Sequence, residues 1–188
     1  MLVRRNARDS RAKVRGLTLM ELIMAMTVLA VGLAGYAKTI AMASIAASTS
    51  REATLATEAG RQMIETLRST TYNQIFARYN STVADDPGGV VSPGANFAVT
   101  GLDARVNDAD GMPGEIQFPT ITVGGAEQLR EDLVSTKLGT PTDLNGDGIV
   151  DAVNHAANYQ NLPVLVRIRW RGVAGPGQVE FQTVLANF

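Results

Sequence analysis

Hydrophobic residues run with little interruption through the first quarter of the chain. From Leu22 to Ala37 no residue is charged, and the apolar pattern continues past Lys38 to Ala47. About 20 apolar residues are enough to cross the hydrocarbon core of a bilayer. The first proline is Pro87, so no proline breaks a helix before that position. The pattern predicts a membrane-embedded helical segment over residues 17–47.

After Ser48 the pattern becomes amphipathic. The apolar positions recur at three- and four-residue spacing and are Ala56, Ala59, Met63 and Leu67. The charged residues on the other face are Glu58, Arg61, Glu65 and Arg68, which can pair along a helix. We therefore expect one helix over residues 17–72. Its first half would contact lipid or partner helices, and its second half, residues 48–72, would pack on a globular domain.

The remaining chain, residues 73–188, has recurring glycine and proline and short stretches typical of strands. Residues 96–100 and 116–123 are strand candidates. Residues 164–171 alternate in character and are followed by a Gly-Pro-rich turn and a returning strand over residues 179–185, which predicts an antiparallel hairpin with one buried and one solvated face. The predicted fold class is α+β, with a long N-terminal helix packed on a C-terminal antiparallel β-sheet domain.

Charge is distributed unevenly between the first 16 residues and the rest. Residues 1–16 carry a net charge of +5, while the whole chain is −1, so the part from Leu17 onward is −6. Basic residues flanking a single span stay on the cytoplasmic side. We therefore predict a basic leader on the cytoplasmic side and a single-pass membrane protein whose C-terminus is directed outward.

The junction between leader and apolar helix reads Gly16-Leu17-Thr18-Leu19-Met20-Glu21. It resembles the signal of type IV prepilins, in which a short basic leader ends in glycine and a glutamate occupies the fifth mature position. The Val31–Gly35 stretch, the Glu65–Arg68 helix end and the closing hairpin resemble minor pilins of the PilV type and their GspI-type counterparts in type II secretion. Many of these proteins carry a C-terminal disulfide, whereas this chain has no cysteine.

The resemblance implies roles for three residues and several partners. Gly16 would precede the bond cut by a prepilin peptidase, and Leu17 would become the N-methylated N-terminus. Glu21 would neutralise the α-amino group of Leu17 in a neighbouring pilin or pseudopilin, after which the subunit would enter a pilus or pseudopilus. A lone carboxylate in an apolar span needs such a reason, because a buried charge without a partner is costly. The alternative reading of Glu21 is a helix N-terminal carboxylate favoured by the helix dipole.

A second motif lies in the C-terminal domain. Residues 143–154 read D-x-N-x-D-G-x-x-D-x-x-N, the spacing of an EF-hand-type calcium loop. Its predicted Ca²⁺ ligands are Asp143, Asn145, Asp147, the Ile149 carbonyl, Asp151 and Asn154. Asn154 stands where a bidentate glutamate is usual, so we expect a Kd of about 10⁻⁴–10⁻³ M. The alternative is a surface turn without a metal.

Enzymatic chemistry has little support in the composition. The chain has no cysteine and one histidine, His155, so neither a nucleophile–base pair nor a zinc site of the usual kind can be assembled. We expect His155 to be a solvated or packing residue. Arg167, Arg169 and Arg171 form a basic stripe that could contact nucleic acid phosphates, but such a stripe is more often a salt-bridged strand edge.

Four functions remain open from the sequence. The leading hypothesis is a structural minor pilin-like subunit assembling through its N-terminal helix. A minor pseudopilin of a type II secretion tip complex is the first alternative, and neighbouring genes would separate the two. A membrane-tethered calcium-binding domain predicts no leader processing and no role for Glu21. In an adhesin or DNA-uptake subunit the arginine stripe would matter.

Overall fold

The computed structural model describes residues 16–87 and 92–187, and the chain divides into two compact units, Met1–Ser44 and Ile45–Phe188. Most of the predicted leader, residues 1–15, lies outside the described residues, as do residues 88–91 and 188. The α+β fold class is confirmed. The chain forms a long N-terminal helix followed by an antiparallel β-sheet domain.

The predicted long helix is a single continuous element, α1, over Leu19–Ser69. It is two residues shorter at its start and three at its end than the predicted range of 17–72. Every residue from Gly16 to Ala47 is exposed, and burial begins at Ser48. A short 3₁₀ turn over Tyr72–Gln74 and the helix α2, Ile75–Tyr79, follow α1.

The main sheet has four antiparallel strands in the order β1-β2-β5-β6. Their bounds are Asn96–Phe97, Gly114–Gln117, Asn161–Gly172 and Gly175–Ala186. A separate hairpin pairs β3, Thr120–Val123, with β4, Ala126–Leu129. The predicted C-terminal hairpin is confirmed as β5–β6, closed by the two residues Val173 and Ala174.

Two strand predictions were wrong in extent. Residues 116–123 are not one strand, because the chain turns at Phe118-Pro119 and places β2 and β3 in different sheets. Pro119 has no N–H to donate to a ladder, and the Thr120 N–H bonds back to the Phe118 carbonyl at 2.9 Å. The candidate at residues 96–100 contributes only the two residues of β1.

The face of the hairpin that we predict to be solvated is solvated over only part of its length. Five consecutive residues of β5, Leu162 to Val166, are buried. The two faces of a strand alternate, so this run is covered on both sides. From Arg167 to Trp170 the side chains alternate between half-buried and buried, so the two faces of β5 differ in exposure only in this part of the strand.

The second half of α1 packs on the sheet through small and apolar residues. Ala56, Gly60 and Leu67 are the buried helix positions. A Cβ on Gly60 would overlap the ring of Phe181 in β6, so this glycine lets an aromatic ring approach the helix backbone. The predicted stripe named Ala59 in place of Gly60, but Ala59 is only partly buried. Both clusters of buried apolar side chains lie within residues 45–188.

Candidate functional site

The junction between Gly16 and Leu17 is exposed and lies outside any helix or strand. Residues 16–18 precede the first turn of α1, and Leu17 is 80% exposed. Among the described residues, no atom beyond its chain neighbours lies within 4 Å of the position that a Cβ on Gly16 would take. A protease needs an accessible, non-helical peptide bond, and this junction offers one.

Glu21 lies in the first turn of α1 and forms a capping arrangement with Thr18. One carboxylate oxygen, Oε2, accepts hydrogen bonds from the Thr18 backbone N–H and hydroxyl, both at 3.0 Å. The Glu21 N–H in turn donates to the Thr18 hydroxyl oxygen at 3.3 Å. This reciprocal pair is a capping box, so in the single chain Glu21 stabilises its own helix start. Both Thr18 bonds are accepted by Oε2, and among the described residues no donor bonds to Oε1.

The helix around Glu21 presents a wide apolar surface. Among the described residues, α1 is the one helix long and apolar enough to cross a membrane, with a mean hydropathy of 1.8 in its most apolar window. Its large side chains are exposed all round, as at Leu19, Met24 and Leu33. A surface of this size is stable only in lipid or against other helices.

The acidic loop of residues 143–154 is held by bonds between its own side chains and backbone. The Asp143 carboxylate accepts from the Gly146 and Gly148 N–H groups at 2.6 and 2.7 Å. The Asn145 and Asp147 side-chain oxygens accept from the N–H two residues ahead, at 3.0 and 2.8 Å. These backbone donors, that of Gly148 first, hold the pKa of the Asp143 carboxyl below its usual value. The carboxylate is therefore ionised at neutral pH.

Glu131 is a residue of this region that the sequence did not reveal. Its side chain is fully buried. One oxygen accepts from the Leu144 and Asn145 N–H groups at 2.7 and 3.2 Å, and the other accepts from the Asp151 N–H at 3.2 Å. A single buried carboxylate therefore ties both ends of the acidic loop to the strand-rich core. No local motif signals it, because its partners are backbone groups 13 to 20 residues downstream.

His155 is buried, which agrees with a packing residue and not with a solvated one. Its Nε2 lies 3.0 Å from an Asp151 carboxylate oxygen and 3.6 Å from Glu131, and its Nδ1 lies 3.3 Å from the Asn158 side-chain oxygen. The hydrogen bond from the Val153 N–H, and after it the one from His155, lower the pKa of Asp151. Glu131, Asp151 and His155 thus bring three potential metal-ligating atoms within 4.8 Å of one another.

The predicted calcium ligands divide into two groups in the structure. Asp143, Asn145 and Asp147 lie on one loop, where the first two are half-buried and Asp147 is exposed. The Asn145 side-chain amide also donates to the second Asp147 oxygen at 2.9 Å. Asp151 is engaged with His155. The Asn154 side-chain oxygen accepts from the Leu129 and Ala156 N–H groups, both at 3.1 Å. Asn154 therefore serves as a link to β4, and its position does not fit a twelfth-position ligand.

The arginine stripe on β5 is paired with carboxylates. Arg167 contacts Glu180 at 2.7 Å, and Arg169 contacts Glu115 at 3.1 Å. Arg171 lies 3.6 Å from Asp103 in an exposed pair. A nucleic acid phosphate would have to displace these partners, so the geometry gives no support to phosphate binding.

Comparison with protein families identifies the N-terminal segment. Residues 11–37 match the family model described as the prokaryotic N-terminal methylation motif. The matched range includes Gly16, Leu17 and Glu21 and the first part of α1. No curated protein and no solved structure matches the chain.

The matched motif and the exposed apolar helix describe the same part of the molecule. The motif is that of prepilin-like signals, and the helix that carries it is membrane-anchoring in length and composition. Together they support a type IV pilin-like or pseudopilin subunit.

Proposed function

We propose that the protein is a minor, structural subunit of a type IV pilus or pilus-tip complex. A prepilin peptidase cleaves it between Gly16 and Leu17 and methylates the new N-terminus. The observation that carries this proposal is the match over residues 11–37 to the methylation motif, on a helix whose apolar surface is exposed all round. The subunit first resides in the inner membrane with its C-terminal domain in the periplasm. It then leaves lipid for a bundle of partner helices.

Glu21 forms the contact that fixes the axial position of one subunit relative to the next. Its Oε2 accepts both hydrogen bonds from Thr18, and among the described residues no donor bonds to its Oε1. After cleavage the Leu17 α-amine of a neighbouring subunit is a cation at the same depth of the helix bundle. In a medium without water, leaving either charge unpaired costs about 3–5 kcal/mol. The pair therefore favours one axial register between subunits.

A minor pseudopilin of a type II secretion tip complex is the alternative within the same class. The helix, the cleavage junction and Glu21 would act in the same way there. The identity of the subunits that co-purify with the chain, or of the genes beside its own, separates the two systems. A tethered monomeric domain is excluded if the leader is removed and the chain is found in an assembly.

We expect Glu21→Gln to leave the domain folded and to reduce incorporation into the assembly. Glutamine keeps the size and part of the capping bonds but removes the charge. A loss of about 3 kcal/mol per unpaired amine corresponds to roughly a hundredfold weaker contact. The measurement is the amount of the chain in sheared filaments or in the co-purified tip complex. Glu58→Gln, at an exposed carboxylate of the same helix, is the matched control. Normal incorporation of Glu21→Gln would contradict the proposed role.

Calcium binding at the acidic loop is a second proposal. The observation that favours it is that the Asp143 carboxylate accepts hydrogen bonds from two backbone N–H groups of the loop. Asp143, Asn145, Asp147, the Ile149 carbonyl and Asp151 would hold Ca²⁺, with water in place of Asn154. The ion would neutralise the exposed acidic side chains and order the loop in a chain without disulfides. A shell completed by water and lacking the bidentate glutamate suits the weak end of calcium loops, with a Kd of about 10⁻⁴–10⁻³ M.

We expect calcium to raise the melting temperature of residues 45–188 by a few degrees. At about 1 mM calcium and a Kd of about 10⁻⁴ M, binding to the folded state contributes about 1.4 kcal/mol. Melting is measured with calcium and with chelator, for the unmodified domain and for Asp147→Ala. Asp110→Ala, in a second Asp-Gly turn whose carboxylate accepts from Met112 N–H, is the control and should keep the calcium response. Equal melting with and without calcium would show that the loop is only a turn.

A further inference from the structure

The outer edge of β6 is the longest open strand edge among the described residues. β6 spans twelve residues and is the last strand of the β1-β2-β5-β6 sheet. The opposite edge strand, β1, has two residues. Open edges invite pairing with another chain, and folded proteins usually shorten or protect them. One edge strand of the sheet, β1, is therefore short, while the other, β6, is long.

The register shows which backbone groups of β6 face outward. The N–H groups of Arg169 and Arg171 donate away from β6, to Pro113 and Asp103. The backbone groups of residues 168 and 170 therefore form the hydrogen bonds of the β5–β6 ladder, with Val179 and Gly177 as their partners. By alternation, the N–H and C=O groups of Gln178, Glu180, Gln182 and Val184 point away from the sheet. Within residues 16–87 and 92–187, no backbone hydrogen bond is made to these four residues from outside the hairpin.

The devices that protect an edge are confined to the start of β6. Pro176 occupies an outward position and offers no N–H there. The one charged side chain of the strand, Glu180, is held by Lys137 at 2.6 Å and by Arg167 at 2.7 Å. Beyond Pro176 the outward residues Gln178, Gln182 and Val184 are uncharged and exposed. Among the described residues, none pairs with the outer edge of β6 from residue 178 to residue 184.

We propose that β6 accepts an extended strand from a neighbouring pilin-like subunit, which extends the sheet across the subunit boundary. The two faces of β6 specify the incoming segment. Val179 and Phe181 lie on the apolar side with α1, and Gln178 and Gln182 lie on the polar side. A strand that continues both faces alternates apolar and uncharged polar residues, and carries no acidic residue opposite Glu180. This inference rests on the proposed function, because assembly through α1 holds the neighbouring domains at the high local concentration that a short strand needs.

Gln182→Pro tests this pairing without disturbing the fold. Proline at an outward position removes an N–H that makes no bond within the sheet, and Pro176 already occupies such a position in the same strand. Gln182→Ala is the matched control, because it shortens the same side chain but keeps the N–H. Each full-length variant is produced in the native host, and its amount in the filament or tip complex is compared with its amount in the membrane.

We expect Gln182→Pro to reduce incorporation about tenfold, the factor expected for losing one or two hydrogen bonds, and Gln182→Ala to incorporate normally. Both variants should melt within a few degrees of the unmodified chain. Normal incorporation of Gln182→Pro, or an equal defect in Gln182→Ala, would overturn strand addition. If Gln182→Pro lowers the melting temperature, the same comparison of incorporation is made between Gln178→Pro and its control Gln178→Ala. Absence of the unmodified chain from any assembly would instead refute the proposed function.

Discussion

Glu131→Ala is expected to destabilise the domain of residues 45–188 by about 3–6 kcal/mol. The substitution leaves the buried N–H of Leu144 and the partly buried N–H groups of Asn145 and Asp151 without their acceptor. A fully buried unsatisfied donor costs about 1–3 kcal/mol, and the two partly buried donors cost less because water can reach them. Folded domains of this size are stable by about 5–15 kcal/mol. The loss is therefore a large fraction of the total. Chemical denaturation of the purified domain measures it.

Two further variants separate the role of Glu131 from a general effect of charge. Glu131→Gln keeps the shape and one acceptor oxygen, so it should lose less stability than alanine. Asp132→Ala removes the neighbouring carboxylate, whose partner Arg130 lies in a partly exposed pair at 2.8 Å. Pairs of this kind contribute about 0–1 kcal/mol. If Glu131→Ala were no more harmful than Asp132→Ala, Glu131 would not be the anchor of the acidic loop.

Gly60→Ala is the second substitution with a large expected effect. Alanine is favoured over glycine in a helix by about 1 kcal/mol, so the change would stabilise an ordinary helix position. Here the added Cβ overlaps the Phe181 ring. Overpacking of this kind costs about 1–3 kcal/mol. We therefore expect a net destabilisation and a lower melting temperature of the full-length chain in detergent.

Gly35→Ala is the matched control for Gly60→Ala. It makes the same chemical change in the same helix, but within the part of the chain that the structure describes no atom outside the surrounding helix turn lies within 4 Å of the added Cβ. It should leave the melting of the domain unchanged. Gly60→Ala combined with Phe181→Leu should recover part of the loss, because the smaller side chain makes room. A stabilised Gly60→Ala variant would show that the helix and β6 are not in the close contact described.

The parts of the fold that were predictable depend on neighbours in sequence. The long helix and the β5–β6 hairpin follow from periodicity and from one turn, so both were predicted with nearly correct ends. The division at Pro119 was missed because the apolar pattern continues through a residue that cannot join the ladder. Gly60 was missed because a glycine in a helix reads as a weak point until the approaching ring of Phe181 is known.

The candidate sites show the same limit. Gly16, Leu17 and Glu21 form a local motif that the family model also matches, because all three lie within a few residues of one another, and their individual roles stay predictions. The acidic loop was recognisable by its spacing, but a hydrogen bond from the Leu129 N–H holds the Asn154 side chain at β4, and that spacing does not reveal this bond. Glu131 could not be predicted, because its partners are backbone groups brought together only by the fold.

Processing of the N-terminus decides whether the chain is an assembling pilin-like subunit, and N-terminal mass spectrometry of the protein isolated from its native host measures it. We predict a chain that begins at Leu17 with a methylated α-amine, and an uncut leader when Gly16 is replaced by a bulky residue. Exported, assembled protein that still begins at Met1 would show that the chain is not a processed pilin-like subunit.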